Sequence, residues 1–207
     1  AMGLIVKDKG VQAVYGPKAD VLKSDIEDLL QSGADIPEPT VEATNKNEKN
    51  EEKHVLGIEK ELFTIATGEV ITLTDVNDPV FSQKMMGDGF AVIPATGEVT
   101  APLSGKIVSV FPTKHAIGMQ TAEGAEVLIH MGLDTVQMSQ PAFEILVSEG
   151  QEVVAGTTIA QMNLDAIKNE GKETTIIVVF TDDKVNGLTI NKLGDTERGT
   201  VIGKINL

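Results

Sequence analysis

His115-Ala116-Ile117-Gly118-Met119-Gln120-Thr121-Ala122-Glu123-Gly124-Ala125-Glu126-Val127-Leu128-Ile129-His130-Met131 reads as two strands joined by a short polar turn. Apolar residues alternate with smaller or polar ones on both sides of Ala122–Ala125, and Glu123-Gly124 is a plausible hairpin turn. Similar runs surround the pair: Leu62–Ile65, Glu69–Leu73, Phe90–Pro94, Gly97–Ala101, Gly105–Phe111, Ala142–Leu146, Ile159–Asn163 and Thr174–Phe180. Gly, Pro, Asp and Asn separate most of them. Leu164–Asn169 has room for one helical turn. No long 3.6-residue period interrupts the series, which disfavours a parallel βαβ fold. The expected class is all-β: an antiparallel β-sandwich or barrel-sandwich of many short strands.

Three composition regimes divide the 207 residues. In 1–33, Gly10–Gly16 reads as a strand ending in a turn, and Ala19–Leu30 carries Val21, Leu22, Ile26, Leu29 and Leu30 at helical spacing. One strand and one helix cannot bury a core, so this is expected to be a strand–helix appendage from another domain. Residues 34–57 are polar and charged, nearly free of apolar side chains, and read as a flexible linker. Residues 58–207 hold the strands. Ala1-Met2 reads as an expression remnant, so the chain is expected to be a piece of a longer protein.

Composition excludes several function classes. Cysteine is absent, so neither a disulfide nor a thiolate site is available, as suits a reducing cytoplasm. A net charge of −14 disfavours nucleic acid or an anionic membrane as partner and favours a basic one. Aromatic content of 3%, without Trp, disfavours base stacking. No apolar run approaches the roughly 18 residues of a membrane helix. A Walker loop is missing too, which argues against direct use of a nucleotide.

The histidines are His54, His115 and His130. His54 falls in the linker and reads as a solvated side chain. The other two flank the hairpin, where side chains alternate faces. A two-residue loop at Glu123-Gly124 pairs His130 with Ile117 and leaves His115 its diagonal neighbour; a loop one residue earlier sets the histidines opposite each other. Either register puts both imidazoles on one surface, and a three-residue loop separates them. A shared imidazole surface has three readings. It is an exposed polar face, a metal site short of ligands in which a partner completes the set, or a nucleophile with a second ring that holds phosphoryl oxygens. Thr113, two residues before His115, can fix a ring's tautomer in the third.

Three segments then carry a resemblance. Phe111-Pro112-Thr113-Lys114-His115-Ala116, Glu126–Val136 and Asp78-Pro79-Val80-Phe81-Ser82-Gln83-Lys84-Met85-Met86-Gly87-Asp88-Gly89 look like the signature segments of the glucose-class enzyme IIA of the bacterial sugar phosphotransferase system. The resemblance runs in order through residues 59–207. It implies a phosphohistidine carrier in which His130 takes phosphate on Nε2 from the phosphocarrier HPr and hands it to a IIB cysteine. It also implies that His115 contacts the phosphoryl group and Thr113 hydrogen-bonds a histidine ring. Val80, Phe81, Phe111, Leu128 and Val136 match an exposed apolar ring around the histidines, and Asp78 and Asp134 match acidic positions that meet an Arg of HPr. Neither metal nor cofactor is implied. Gly10–Leu30 is similar to the end of a IIB domain whose active-site cysteine lies upstream of the matching part. A membrane IIC domain would then choose the sugar (glucose, N-acetylglucosamine or a β-glucoside), and the chain would work at the cytoplasmic face of the membrane.

Parity gives independent support, since Leu128 shares a strand face with His130. A regulatory module that binds other proteins through the same histidine face is the alternative. Val147–Ile159 also resembles a hairpin of biotinyl and lipoyl carriers, but the attachment Lys such domains need at a tight turn is missing. Gly87-Asp88-Gly89 reads as a structural turn.

Overall fold

A computed structural model describes residues 3–7, 10–14 and 57–207 of the chain. It divides into two units, Ala1–Leu56 and Gly57–Leu207. In the first, β1 (Gly3–Lys7) pairs antiparallel with β2 (Gly10–Val14). The strand read in Gly10–Gly16 is therefore half of a hairpin. The helix expected over Ala19–Leu30, the linker and His54 lie outside the described residues.

The second unit continues with β3 (Glu59–Phe63), β4 (Gly68–Thr72), a one-turn helix α1 (Pro79–Ser82), β5 (Asp88–Pro94), β6 (Glu98–Thr100) and β7 (Gly105–Val110). Next come β8 (Ala116–Gln120), β9 (Glu126–Leu133), β10 (Phe143–Ile145), β11 (Glu152–Val153) and β12 (Thr158–Met162). Helix α2 (Leu164–Asn169), β13 (Glu173–Phe180), β14 (Gly187–Ile190), β15 (Gly194–Thr196) and β16 (Val201–Asn206) complete it. Every ladder is antiparallel. An eight-stranded sheet runs β11-β7-β8-β9-β13-β5-β4-β15, flanked by three-stranded sheets β10-β12-β6 and β14-β16-β3. The expected all-β sandwich of short strands is what forms, with α2 at the helical turn foreseen.

The centre of the large sheet is covered on both faces. In β13 every residue from Thr174 to Phe180 is buried, so the run Thr174-Thr175-Ile176-Ile177-Val178-Val179-Phe180 is continuously apolar after its first threonines, as a strand packed on two sides should be. Ile176, Val178 and Phe180 enter a large core with Phe90, Val92, Ile117, Met119, Val127, Ile129 and Met131. Ile177 and Val179 face the other way, into a small cluster of Leu73, Val76, Phe81, Ala91 and Leu133. Gly89 opens this packing to β13: a Cβ there would stand 1.8 Å from the Val178 carbonyl oxygen. The structural reading of Gly87-Asp88-Gly89 follows from that approach.

Candidate active site

The site is assembled on the thin side of the large sheet. In β9, Val127, Ile129 and Met131 point into the large core, while Leu128 and His130 are half-buried on the opposite face. His130 stands in register with Ala116 on one side and with Ile177 on the other. Ala116↔His130 means the hairpin turns through Ala122-Glu123-Gly124, closed by the Thr121 N–H donating to the Ala125 carbonyl at 2.9 Å. This is the three-residue loop that, by strand parity alone, sends the two histidines to opposite faces.

They meet nonetheless, because His115 is not a strand residue. Residues 112–115 form a turn in which Lys114 has φ +60°. Its N–H donates to the Phe111 carbonyl at 2.8 Å, and the Phe111 N–H donates to the Ala116 carbonyl at 3.1 Å. The left-handed residue breaks the alternation just before β8 begins. His115 stays fastened to β9 through its backbone, its carbonyl accepting from the Met131 N–H at 2.7 Å. The parity argument thus reached the observed pairing through the wrong register.

The two imidazole centroids lie 4.9 Å apart with planes at 74°. Phe111 stands edge-on to His115 at 5.5 Å, and Phe81 lies 5.4 Å from His130, so four rings form a row. Thr113 Oγ1 is 2.5 Å from His115 Nδ1. That bond occupies one ring nitrogen and leaves His115 Nε2 without a hydrogen-bond partner among the described residues. His130 Nδ1 is buried without a hydrogen-bond partner among the described residues. Nε2 is the nitrogen left open to an incoming group.

Burial decides the charge state. Desolvation lowers the His115 pKa. It pushes His130 down to about 4, helped by the neighbouring His115 and opposed by the Gly132 carbonyl and the Asp78 and Asp134 carboxylates. Both rings are therefore neutral near pH 7, and a neutral ring carries the lone pair that a nucleophile needs.

Asp78 caps α1, one carboxylate oxygen accepting from the N–H groups of Val80 at 2.8 Å and Phe81 at 3.3 Å. Pro79 at the first helical position suits this start. The second Asp78 carboxylate oxygen has no hydrogen-bond partner among the described residues. Asp134 is exposed in a left-handed turn at φ 56°. Val80, Phe111 and Val136 are 41%, 39% and 48% exposed, and make an open apolar rim. Phe81 does not belong to that rim. It is only 6% exposed, turned by α1 into the small cluster below His130, so its expected place on the open surface is corrected to the core. No group of three or more His, Asp or Glu side chains able to hold a metal occurs among the described residues.

Gly132 went unread in the sequence. Its φ is +79°, and a Cβ would stand 2.5 Å from Thr135 Cγ2 and 2.9 Å from the Glu173 carbonyl oxygen. The Thr135 hydroxyl donates to the Met131 carbonyl at 2.8 Å, which fixes the same turn. A glycine inside an apolar strand pattern, two residues after a histidine, was the available signal.

Known proteins resemble this chain in sequence and in fold. Residues 60–185 match the family model described as phosphoenolpyruvate-dependent sugar phosphotransferase system, EIIA 1. The PTS system glucose-specific EIICBA component of Streptococcus pneumoniae is 48% identical over 208 residues, 100% of this chain and 28% of that protein. Staphylococcus carnosus has a glucose-specific EIICBA component 38% identical over 96% of this chain, and a glucoside-specific one 35% identical over 100%, spanning 29% and 30% of those proteins. The chain thus spans under a third of the length of these relatives. The solved glucose permease IIA of Mycoplasma capricolum superimposes with a TM-score of 0.68 at 38% identity, covering 72% of this chain and 97% of that one. Sequence and fold agree, and the chain belongs to the EIIA 1 family of the phosphoenolpyruvate-dependent sugar phosphotransferase system.

Proposed function

We propose that the chain is the phosphohistidine carrier of a glucose-type sugar transporter, with His130 Nε2 as the phosphate acceptor. The observation that carries this is a neutral imidazole, open at Nε2, whose ring centre lies 4.9 Å from that of a second imidazole with its own Nδ1 bound to Thr113. The Nε2 lone pair attacks phosphorus on phosphorylated HPr. A P–N bond forms as the bond from phosphorus to the donor breaks, and its electron pair leaves with the donor. His115, whose ring centre lies 4.9 Å from that of His130, offers its second ring nitrogen to the phosphoryl oxygens. Val80, Phe111 and Val136 exclude water as the partner docks, which strengthens every polar contact beneath them. Asp78 and Asp134 supply the negative charge that a basic patch on HPr would meet. Phosphoryl transfer asks mainly for positioning and charge stabilisation, so a small open site on a rigid sheet is sufficient.

In the second transfer the same geometry delivers the phosphoryl group to a cysteine thiolate of a IIB domain, on the cytoplasmic side. Residues 1–33 are read as the end of such a IIB domain and 34–57 as the linker to residues 58–207. The chain has no cysteine, so the accepting IIB thiol lies outside it. A fused IIC domain fits the EIICBA names of the relatives, two glucose-specific and one glucoside-specific. Charging with enzyme I, HPr and phosphoenolpyruvate, followed by mass spectrometry with site mapping, tests the assignment. One phosphate on His130 is expected, and none on His130→Ala. His115→Ala should accept phosphate but pass it poorly to IIB. Full labelling of His130→Ala refutes the acceptor assignment.

A further inference from the structure

The side chain of Asn77 donates through Nδ2 to Glu173 Oε1 at 2.8 Å across 96 residues of sequence. Asn77 immediately precedes Asp78, and Asp78 starts the short arm that carries Val80 and Phe81. Glu173 opens β13 and is in register with Leu133, at the end of the strand that holds His130. Its carbonyl oxygen also packs against Gly132, where a Cβ would come within 2.9 Å. Glu173 therefore touches the acceptor's turn with its backbone and the partner-facing arm with its carboxylate.

The arm has little else to hold it. Helix α1 is four residues long, and one Asp78 carboxylate oxygen accepts only from its own first turn. Among the described residues, Asn77 to Glu173 is the side-chain hydrogen bond that ties the arm to β13. Phe81 is the apolar anchor, and its ring lies 5.4 Å from that of His130. Any swing of the arm moves Phe81 against the acceptor ring and moves Asp78 and Val80 on the docking face.

We propose that Asn77 and Glu173 form a latch that positions the Asp78–Phe81 arm for docking of the phosphoryl donor and sets the cover over His130. Both are positioning residues acting through the arm, and the docking half of the inference rests on the carrier function proposed above. Neither belongs to the reacting groups. The step they influence is encounter with the donor, so their loss should raise KM and spare kcat.

The test compares the parent chain with Asn77→Ala, Glu173→Ala and Glu173→Gln, using phosphorylated HPr as donor. Both side chains are solvent-exposed, so losing this one bond of ordinary net strength corresponds to a rise in KM of about threefold to tenfold in each Ala variant, with kcat changed by less than about twofold. The His130 ring should titrate at higher pH in histidine-detected NMR spectra, because a loosened Phe81 lets water in. Glu173→Gln keeps an acceptor oxygen and should restore most of both readouts. Parent-like KM and parent-like His130 titration in both Ala variants would overturn the latch. So would a lowered melting temperature with both readouts unmoved, or a Gln variant as impaired as Ala. A parent chain that takes no phosphate from HPr would instead sink the carrier reading, and the titration, which needs no partner, still decides the latch.

Discussion

The two faces of β13 are built from the same kind of residue yet bury very different amounts of protein. Ile176, Val178 and Phe180 enter a core that includes strands from all three sheets of the second unit. One residue out of step, Ile177 and Val179 join five other buried residues in a cluster roofed by α1 and its flanking loops. The thick side holds the sheet rigid, and the thin side leaves room for a half-buried imidazole that another protein can reach. The proposed carrier function suits this division: a site met by macromolecular partners cannot lie under a thick layer, and one that positions phosphorus cannot stand on a loose support.

Truncation separates the faces first. Phe90 is fully buried on the thick side, and Phe90→Ala should cost about 4 kcal/mol in chemical denaturation. Phe81→Ala on the thin side should cost less, about 2 to 3 kcal/mol, because short loops relax around the hole more readily than paired strands do. It should also raise the His130 pKa, since Phe81 covers that ring. Equal losses for the two variants would break the contrast between the faces.

Acid sharpens it. His130 titrates near 4 in the folded chain against 6.5 for the free side chain. Its contribution is complete above pH 6.5 and is lost as pH falls toward 4, because the unfolded chain takes up the proton first. The difference amounts to about 2 kcal/mol by pH 5, and His130→Gln should flatten that part of the stability profile. An unchanged slope in the variant would mean that the ring is already well solvated. His115 is lowered in the same direction, so a smaller slope should survive in His130→Gln and vanish when both are replaced.

What the sequence made legible follows from how local each signal is. Strands such as Ala116–Gln120 and Phe90–Pro94 announce themselves by short apolar runs, and the three family segments mark the proposed acceptor, its neighbour and the rim. Strand β16 escaped reading. Gly203 interrupts its pattern and is needed for a close approach to β14, where a Cβ would stand 2.0 Å from the Thr189 carbonyl oxygen. The pairing of His115 with His130 depended on a single left-handed lysine, and a preference of about 1 to 2 kcal/mol against that conformation is invisible in a parity count. Phe81 was misplaced for a related reason: Val80 and Phe81 are adjacent apolar residues, and only the helical turn that Asp78 caps decides which of them faces inward.

The smallest expected effect on stability sits at the rim, and it gives the comparison its functional edge. Val136 is 48% exposed beside the acidic Asp134, so Val136→Asp removes almost no buried contact and should alter stability by less than about 0.5 kcal/mol. The same change puts a charge where the docked partner needs a dry apolar surface. A buried unpaired carboxylate costs an interface several kcal/mol, so KM for phosphorylated HPr should rise by about tenfold or more while the melting curve stays in place. Phe90→Ala should behave in the opposite way, lowering the melting temperature with little change in KM at temperatures where the chain is still folded. If Val136→Asp transfers phosphate like the parent, Val136 is ordinary exposed surface, and docking rests on Val80 and Phe111.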